Sequence, residues 1–479
     1  MPTRRHFLQG LGAMGVAALA APRLAHGALA HGQVGCKAYK VLHIYLHGAV
    51  SHRETLWIDE GDPEWAEWRQ TFDPADMDPS ASGATRTWIG NAPDHAVYLG
   101  EGLHPLVAAN LLPRMRVVAM SNPAPEVHRI AAGGALAGVE VGRPGFASVA
   151  ARMLARHQDD DPFASFVVDG LGVPAVARYA IASQGLAVGS EPVLLPVGSS
   201  TFLSDLERGD REHVDGLVGL YRSTYDKRLT HPTDGRLRSP AFDIYATSQA
   251  RLEDWAALRD RLGVVPTFDS GTGGAWGDTV RGIEIATHLL ESGARHVTVL
   301  GGGANDNHFD THAVGDPENA SMDVHALQHN TYLWHVCQAL VAAVCEGRLD
   351  LNDTLTVIHS EFGRANRNDG TEHHGKGYAG LLLGGPVQQS GLAGRLDFSS
   401  DAEGLAAAGD SFTPTDLVAA MSLAGGVAPF QDGMFHRSQL SGDFASDEQA
   451  LEHLSHQLLG AVDDDCSVDS IQSPSPSQC

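Results

Sequence analysis

The chain has 479 residues, 43% of them hydrophobic and 19% charged, and carries a formal net charge of −25 at pH 7. Such a composition excludes a disordered polypeptide and supports a large buried core in one big α/β domain or two smaller ones. The acidic balance argues against a nucleic-acid partner, because phosphate backbones are held by clustered lysine and arginine that are outnumbered here.

The first thirty residues read as an export signal. Thr3-Arg4-Arg5-His6-Phe7-Leu8 is a twin-arginine stretch, followed by a Gly/Ala-rich apolar segment from Leu11 to Ala21 and small residues suited to cleavage at Ala28-Leu29-Ala30. The apolar run falls short of the ~20 residues a spanning helix needs, so no stable transmembrane span is expected. This leader implies passage through the Tat translocase in the folded state, to the periplasm or beyond. The five cysteines are too few for a disulfide scaffold. Cys337 and Cys345, eight apart on one helical stretch, suit core packing, whereas Cys466 and Cys479 flank an acidic tail and could bridge in an oxidising compartment.

Lys40–Leu46 is the first strand, and it runs into His47-Gly48-Ala49-Val50-Ser51-His52-Arg53-Glu54, a glycine-containing turn crowded with polar groups. Residues 59–100 read as an irregular excursion rich in Asp, Pro, Gly and Trp. A short helix opens at Gly102–Leu106, and Arg116–Met120 is a second strand that ends before Asn122, Pro123 and Pro125 and leads to His128. Pro144–His157 suits a helix and Phe166–Val168 a third strand. From 201 to 290 the pattern turns helical, as at Thr247–Leu262 and Thr279–Ser292, consistent with a helical insertion or cap.

Gly293–Leu300 returns to the strand pattern, with Asp310-Thr311-His312 just beyond it. A helix from Met322 to Cys345 follows; its His325, His329 and His335 suit packing or the polar face better than ligation. Leu355–Ile358 is a buried strand that stops at Ser360-Glu361-Phe362-Gly363-Arg364. A polar loop then carries Glu372-His373-His374 into the apolar run Tyr378–Leu383. Thr413 is placed to cap a last helix through Leu423. Residues 443–479 are acidic and Ser/Pro-rich, the composition of a disordered tail.

Strands alternating with helices predict a largely parallel central sheet covered on both faces, and ligands collect outside the carboxyl ends of such strands. Four clusters lie at those ends: Ser51–Glu54, His128, Asp310–His312 and Ser360–His374. Their Asp, Glu and His side chains are the oxygen and imidazole donors that zinc, manganese or iron take, and oxygen donors also suit calcium. Paired metals at such a site can clamp a phosphoryl or sulfuryl ester, and Arg364 can bind its anionic oxygens bidentately.

Ser360-Glu361-Phe362-Gly363-Arg364, followed by Thr371-Glu372-His373-His374-Gly375-Lys376-Gly377 and preceded by Asp310-Thr311-His312 and the strand-end segment His47–Thr55, resembles the Tat-exported bacterial family labelled domain of unknown function 1501. The resemblance covers 38–440. That family is similar to the alkaline phosphatase/sulfatase superfamily, which implies an alkaline phosphatase-like fold. It further implies that Asp310 and His312 match the first-metal aspartate and histidine, that His374 or His373 matches the later histidine ligand, and that Glu361 stands at the aspartate of the superfamily's S-D-H-G element. Phe362 stands where that element has histidine, and Glu54 replaces the aspartate after the first strand. His128, ten residues before Gly138, occupies the place of the superfamily's nucleophile.

The expectation is therefore a periplasmic or secreted hydrolase of phosphate or sulfate esters. Asp310, His312 and His374 would hold a divalent metal, Glu361 and Glu54 a second ion, and His128 or a metal-bound water would attack an anionic small-molecule or polymer ester. The substitutions at Phe362 and His128 leave open a second reading, a non-catalytic secreted binding protein on the same fold.

Overall fold

The computed structural model describes residues 38–61, 72–92, 94–123, 127–138, 147, 165–170, 192–197, 277–302, 309, 322–366, 372–375, 377–396, 410–427, 429–430 and 435–461. The expected leader (1–30), the helix at Pro144–His157 apart from the helical Ala147, and most of the expected 201–290 insertion lie outside these ranges.

The apolar run Lys40–Leu46 forms β1, buried along its length except at Lys40. β2 (Ile58–Asp59), β3 (Thr87–Asn91) and β4 (Ala96–Leu99) follow, then α1 (His104–Ala108) and β5 (Met115–Ser121). Next come α2 (His128–Ala137), β6 (Ser165–Asp169), β7 (Val193–Pro196), α3 (Gly277–Glu291) and β8 (His296–Gly301). The long helix α4 (Met322–Cys345) leads to β9 (Thr354–His359), then β10 (Gly363–Asn366), β11 (Glu372–Gly375), β12 (Gly377–Gly384) and β13 (Gly391–Ala393). α5 (Pro414–Ala424) and α6 (Asp447–Glu452) complete the described elements, the latter running on into a π-helical turn, His453–Leu458.

The central sheet has eight strands in the order β13-β5-β12-β9-β1-β8-β6-β7. β9, β1, β8, β6 and β7 run parallel, as do β13 and β5, while β12 is antiparallel to both β9 and β5. The sheet is thus mixed α/β and mostly parallel, as the alternation of patterns predicts. Parallel strands need crossover connections, and α4 lies on the one from β8 to β9, which spans the intervening β1. Along β1, alternate residues serve opposite faces. Leu42, Ile44 and Leu46 join Ile283 and Leu290 of α3 and Leu333, Val336 and Leu340 of α4 in one core. On the other face Val41 packs with Leu355, Val357 and with Leu417, Val418 and Met421 of α5. Tyr45 packs there too, with Ala132 and Leu136 of α2.

Register decides what meets at the strand ends. Tyr45 pairs with His359 on one side and Leu300 on the other, so β1, β8 and β9 finish level. His47, Gly302 and Ser360 therefore leave the sheet side by side.

Thr413 caps α5 as expected: its side chain accepts from the Asp416 amide while the Asp416 carboxylate accepts from the Thr413 amide. Three expectations need correction. Within 59–100 the chain builds a three-stranded antiparallel sheet, β2-β4-β3, because Ile89, Val97 and Leu99 alternate inward onto the core. The stretch from 443 starts with structure rather than disorder: Ala450, Leu454, Leu458 and Leu459 are buried against α5 and the sheet, an apolar face that overrides the acidic composition as far as Ala461. Cys337 is buried and free, as core packing predicts, whereas Cys345 is disulfide-bonded; Cys466 and Cys479 lie outside the described residues.

Candidate metal centre

The site is assembled from the ends of β1, β5 and β9. β1 stops because Gly48 and Ala49 both take positive φ, 108° and 62°, which turns the chain sharply after His47. The turn is clamped to the end of β9. The Gly48 amide donates to Glu361 Oε1 (2.8 Å), the Val50 amide to Ser360 Oγ (3.2 Å), and the His47 amide to the Gly301 carbonyl (2.8 Å). Gly302 beside it has φ +114°, and a Cβ there would stand 2.6 Å from the His47 amide nitrogen, so only glycine lets β8 and the β1 turn close together.

From β5, the buried Asn122 amide donates to the backbone oxygens of Glu361 (2.6 Å) and Ala131 (3.3 Å), which ties the end of that strand to α2 and to β9. α2 then starts at His128, whose Nδ1 lies 2.6 Å from Glu361 Oε1. His47 Nδ1 lies 3.3 Å from the same oxygen. The second oxygen, Oε2, accepts from the Tyr45 hydroxyl (2.9 Å) and lies 3.0 Å from Ser360 Oγ. Beneath the cluster Phe362 packs against Ala49 and Ala131, with its ring 4.9 Å from that of His128.

Electrostatics follow from this shell. Burial alone would raise the Glu361 carboxyl, but the adjacent His47 and the hydrogen bonds from His128 and His47 hold it well below the usual carboxylate range. Burial, and then the charge of Glu361, push the Tyr45 hydroxyl well above its ordinary value, so it stays a neutral donor. Under the site lies a buried histidine row. His43 stacks on His359 with ring centroids 4.9 Å apart, and Thr298 bridges His43 to His296. Burial pushes His359 down to about 4 and His296 down to about 3, and His43 well below 6.5.

His47, His128 and Glu361 each offer one ligand atom, and those atoms all lie within 4.8 Å of one another. Nitrogen and carboxylate donors bind zinc-like ions at about 2.0–2.2 Å. A ligand set of that size needs the donors roughly 3.4 Å apart, so the 2.6 Å His128–Glu361 contact must open by less than 1 Å. The two imidazoles now share protons with Oε1, and a cation in the same place would satisfy the same lone pairs. The residues fit a divalent metal.

The structure brings together two of the residues singled out in the sequence, Glu361 and His128. It adds His47, which stood in the strand-end segment but was not picked as a ligand; its signal was a histidine directly after a buried strand and before Gly48. Tyr45, two residues upstream on the same face, carried no signal by itself. Glu54 lies in a buried turn, His52–Glu54, with its Oε2 4.0 Å from His329 Nδ1, and is not among the three converging donors. Arg364 and His374 are register partners across the β10–β11 hairpin, and His373 pairs with Ala365. Asp310 and His312 lie outside the described residues. Phe309, just before them, is buried against Tyr332 and His329 of α4.

The pattern of the family described as Protein of unknown function (DUF1501) matches residues 38–440. No curated protein sequence matches the chain. Among solved structures, the C-terminal periplasmic domain of EcEptC from Escherichia coli, in complex with Zn, is 13% identical, with 81% of this chain and 83% of that one covered and a TM-score of 0.36. Alkaline phosphatase from the Antarctic bacterium TAB5 is 11% identical over 74% of this chain and 94% of that one, with a TM-score of 0.33. The PsFucS1 sulfatase from Pseudoalteromonas sp. is 12% identical over 82% and 68%, with a TM-score of 0.31.

Proposed function

The chain belongs to the DUF1501 family, and from that membership and the geometry of the strand ends we propose that it is an exported, metal-dependent hydrolase of phosphate or sulfate esters. One observation carries the reading. Glu361, at the S-D-H-G aspartate, and His128, at the nucleophile position, are matched by motif 233 residues apart, and they stand 2.6 Å from each other with His47 alongside.

A divalent ion held by His47, His128 and Glu361 would polarise an ester oxygen or acidify a water. The residues around it have distinct tasks. Glu361 is sealed on the protein side and supplies a fixed negative charge, while the side chains of His47 and His128 are 15% and 17% exposed and form the face open to substrate. Where the ion is held without His128, that residue, first of α2, is placed instead to accept a proton or a phosphoryl group at that face. Arg364 is assigned to the anionic ester oxygens. Asp310, His312, His373 and His374 are assigned as further ligands, and Glu54 to a second ion. Phe362, where the superfamily has histidine, removes one donor and favours a reduced centre. An exported location suits the twin-arginine leader and the disulfide at Cys345, since disulfides persist in oxidising compartments. Among the described residues no helix is long and apolar enough to cross a membrane.

The test is elemental analysis of purified protein together with turnover of p-nitrophenyl phosphate and p-nitrophenyl sulfate, for wild type, Glu361→Gln and His128→Asn. The expected result is a stoichiometric transition metal and hydrolysis of one ester, with both variants at least about 100-fold weaker in metal affinity or rate. A metal-free wild type that hydrolyses neither ester would instead support the binding protein.

A further inference from the structure

We infer that Tyr45 is a positioning residue for the metal centre: its hydroxyl pins Glu361 Oε2, so that Oε1 alone is presented to the face made by His47 and His128. The inference rests on the proposed metal site and concerns how this chain shapes it.

Proton counting singles out Tyr45. Oε2 has two neighbours that can donate, Tyr45 at 2.9 Å and Ser360 at 3.0 Å. Ser360 has one hydroxyl proton, and the Leu46 carbonyl lies closer to it, at 2.7 Å. That carbonyl takes the proton, which leaves Ser360 a weak partner for Oε2. Among the described residues Tyr45 has no such alternative. Its other polar neighbour among the described residues is His47 Nδ1 at 3.5 Å, and that nitrogen also faces Oε1 at 3.3 Å. Because an ionised carboxylate only accepts, Nδ1 carries the proton in that pairing and offers Tyr45 no lone pair. With Tyr45 fully buried, no solvent competes, and Oε2 is the acceptor left for its proton.

The ring is held so that this bond cannot drift. Tyr45 packs among Ala132, Leu136, Val167 and Leu300 and stands edge-on to His359, with ring centroids 5.6 Å apart. On the other side of the carboxylate, Oε1 is already aimed by the Gly48 amide. A carboxylate fixed at both oxygens by fixed donors cannot rotate to offer both of them to a cation. Hard ions such as calcium favour two-oxygen carboxylates and six to eight oxygen ligands. Removing the Tyr45 hydroxyl frees Oε2, so the site should lose discrimination between transition ions and calcium.

Tyr378 supplies an internal control. It too is fully buried and feels the charge of Glu361, yet its hydroxyl has no hydrogen-bond partner among the described residues. A general effect of deleting a buried hydroxyl near Glu361 would appear in both variants; a positioning effect appears in Tyr45→Phe alone.

The experiment titrates Co²⁺ into metal-free protein, in the presence and absence of millimolar Ca²⁺, and records the visible absorption, which is intense for a low-coordinate ion and weak for an octahedral one. Wild type and Tyr378→Phe should bind one Co²⁺ with intense bands that Ca²⁺ does not displace. Tyr45→Phe should bind about tenfold more weakly, with weaker bands and with displacement by Ca²⁺. Fluorotyrosine at position 45 retains the hydroxyl and should restore the wild-type spectrum, which keeps the test decisive if Tyr45→Phe folds poorly. Equal affinity and spectra in wild type and Tyr45→Phe would overturn the role of Tyr45 while leaving the metal site standing. A wild type that takes up no Co²⁺ would overturn both.

Discussion

Acid should weaken this protein before it reaches the titration range of its carboxylates, and two buried histidines set the size of the effect. His359 and His296 are held down to about 4 and about 3 against an ordinary 6.5, both through burial. Once unfolded, each imidazole takes up a proton as pH falls through 6.5, while the native state takes up none until its own lower value is reached. The stabilisation is therefore complete above 6.5 and shrinks between there and about 4 for His359, or about 3 for His296. At about 1.4 kcal/mol per pH unit per proton, each costs about 2 kcal/mol by pH 5, so the pair costs about 4 kcal/mol. His43, also pushed well down, acts in the same direction. Glu361 does not contribute in this window: its carboxyl is depressed, so its stabilisation persists above the unfolded value of 4.5 and fails only as pH falls through the native one. Urea unfolding followed by tryptophan fluorescence at pH 7, 6 and 5 gives the free energies directly. His296→Gln, which can still bridge Ser165 and Thr298, should flatten the slope by about 1.4 kcal/mol per pH unit. A wild-type loss below about 1 kcal/mol by pH 5, or an unchanged slope in His296→Gln, would refute neutral burial of these groups.

Other changes probe the site and its supports. Glu361→Ala leaves the Gly48 amide and the Tyr45 hydroxyl buried without their acceptor, and should cost about 3–5 kcal/mol in urea unfolding, as well as metal binding. Gly302→Ala forces a Cβ against the His47 backbone at a positive φ, so metal affinity measured by competitive chelation should drop together with a stability loss of about 1–3 kcal/mol. Phe362→Ala empties a fully buried position beneath His128 and should cost about 3–5 kcal/mol, seen as a lower melting temperature. Thr413→Ala removes the cap of α5 and should cost about 1 kcal/mol while metal uptake stays at the wild-type level.

Several elements were legible because their signals are local. Met322–Cys345 is long and periodic, Lys40–Leu46 is apolar throughout, and Thr413-Pro414-Thr415-Asp416 spells a helix start; all three form where the pattern puts them. The sheet in 59–100 was hidden because its strands are short, and its alternation has meaning only against the core that Ile89, Val97 and Leu99 reach. Likewise the acidic composition after 443 masked four buried residues whose spacing matters only beside α5.

The candidate site divides in the same way. Sequence alone marked Glu361 and His128 as chemical, because a carboxylate and an imidazole after buried strands sit where unpaired polar groups are costly and need partners. Only the fold could show that they partner each other, that His47 stands beside them, and that Glu54 lies next to His329. Those relations depend on strand order and register: β5 reaches β9 through β12, and β1 lies beside β9 with Tyr45 level with His359. Order and register are set by contacts between segments hundreds of residues apart. Polarity and periodicity, read one stretch at a time, say which residues need a partner, and the tertiary structure decides which partner each one has.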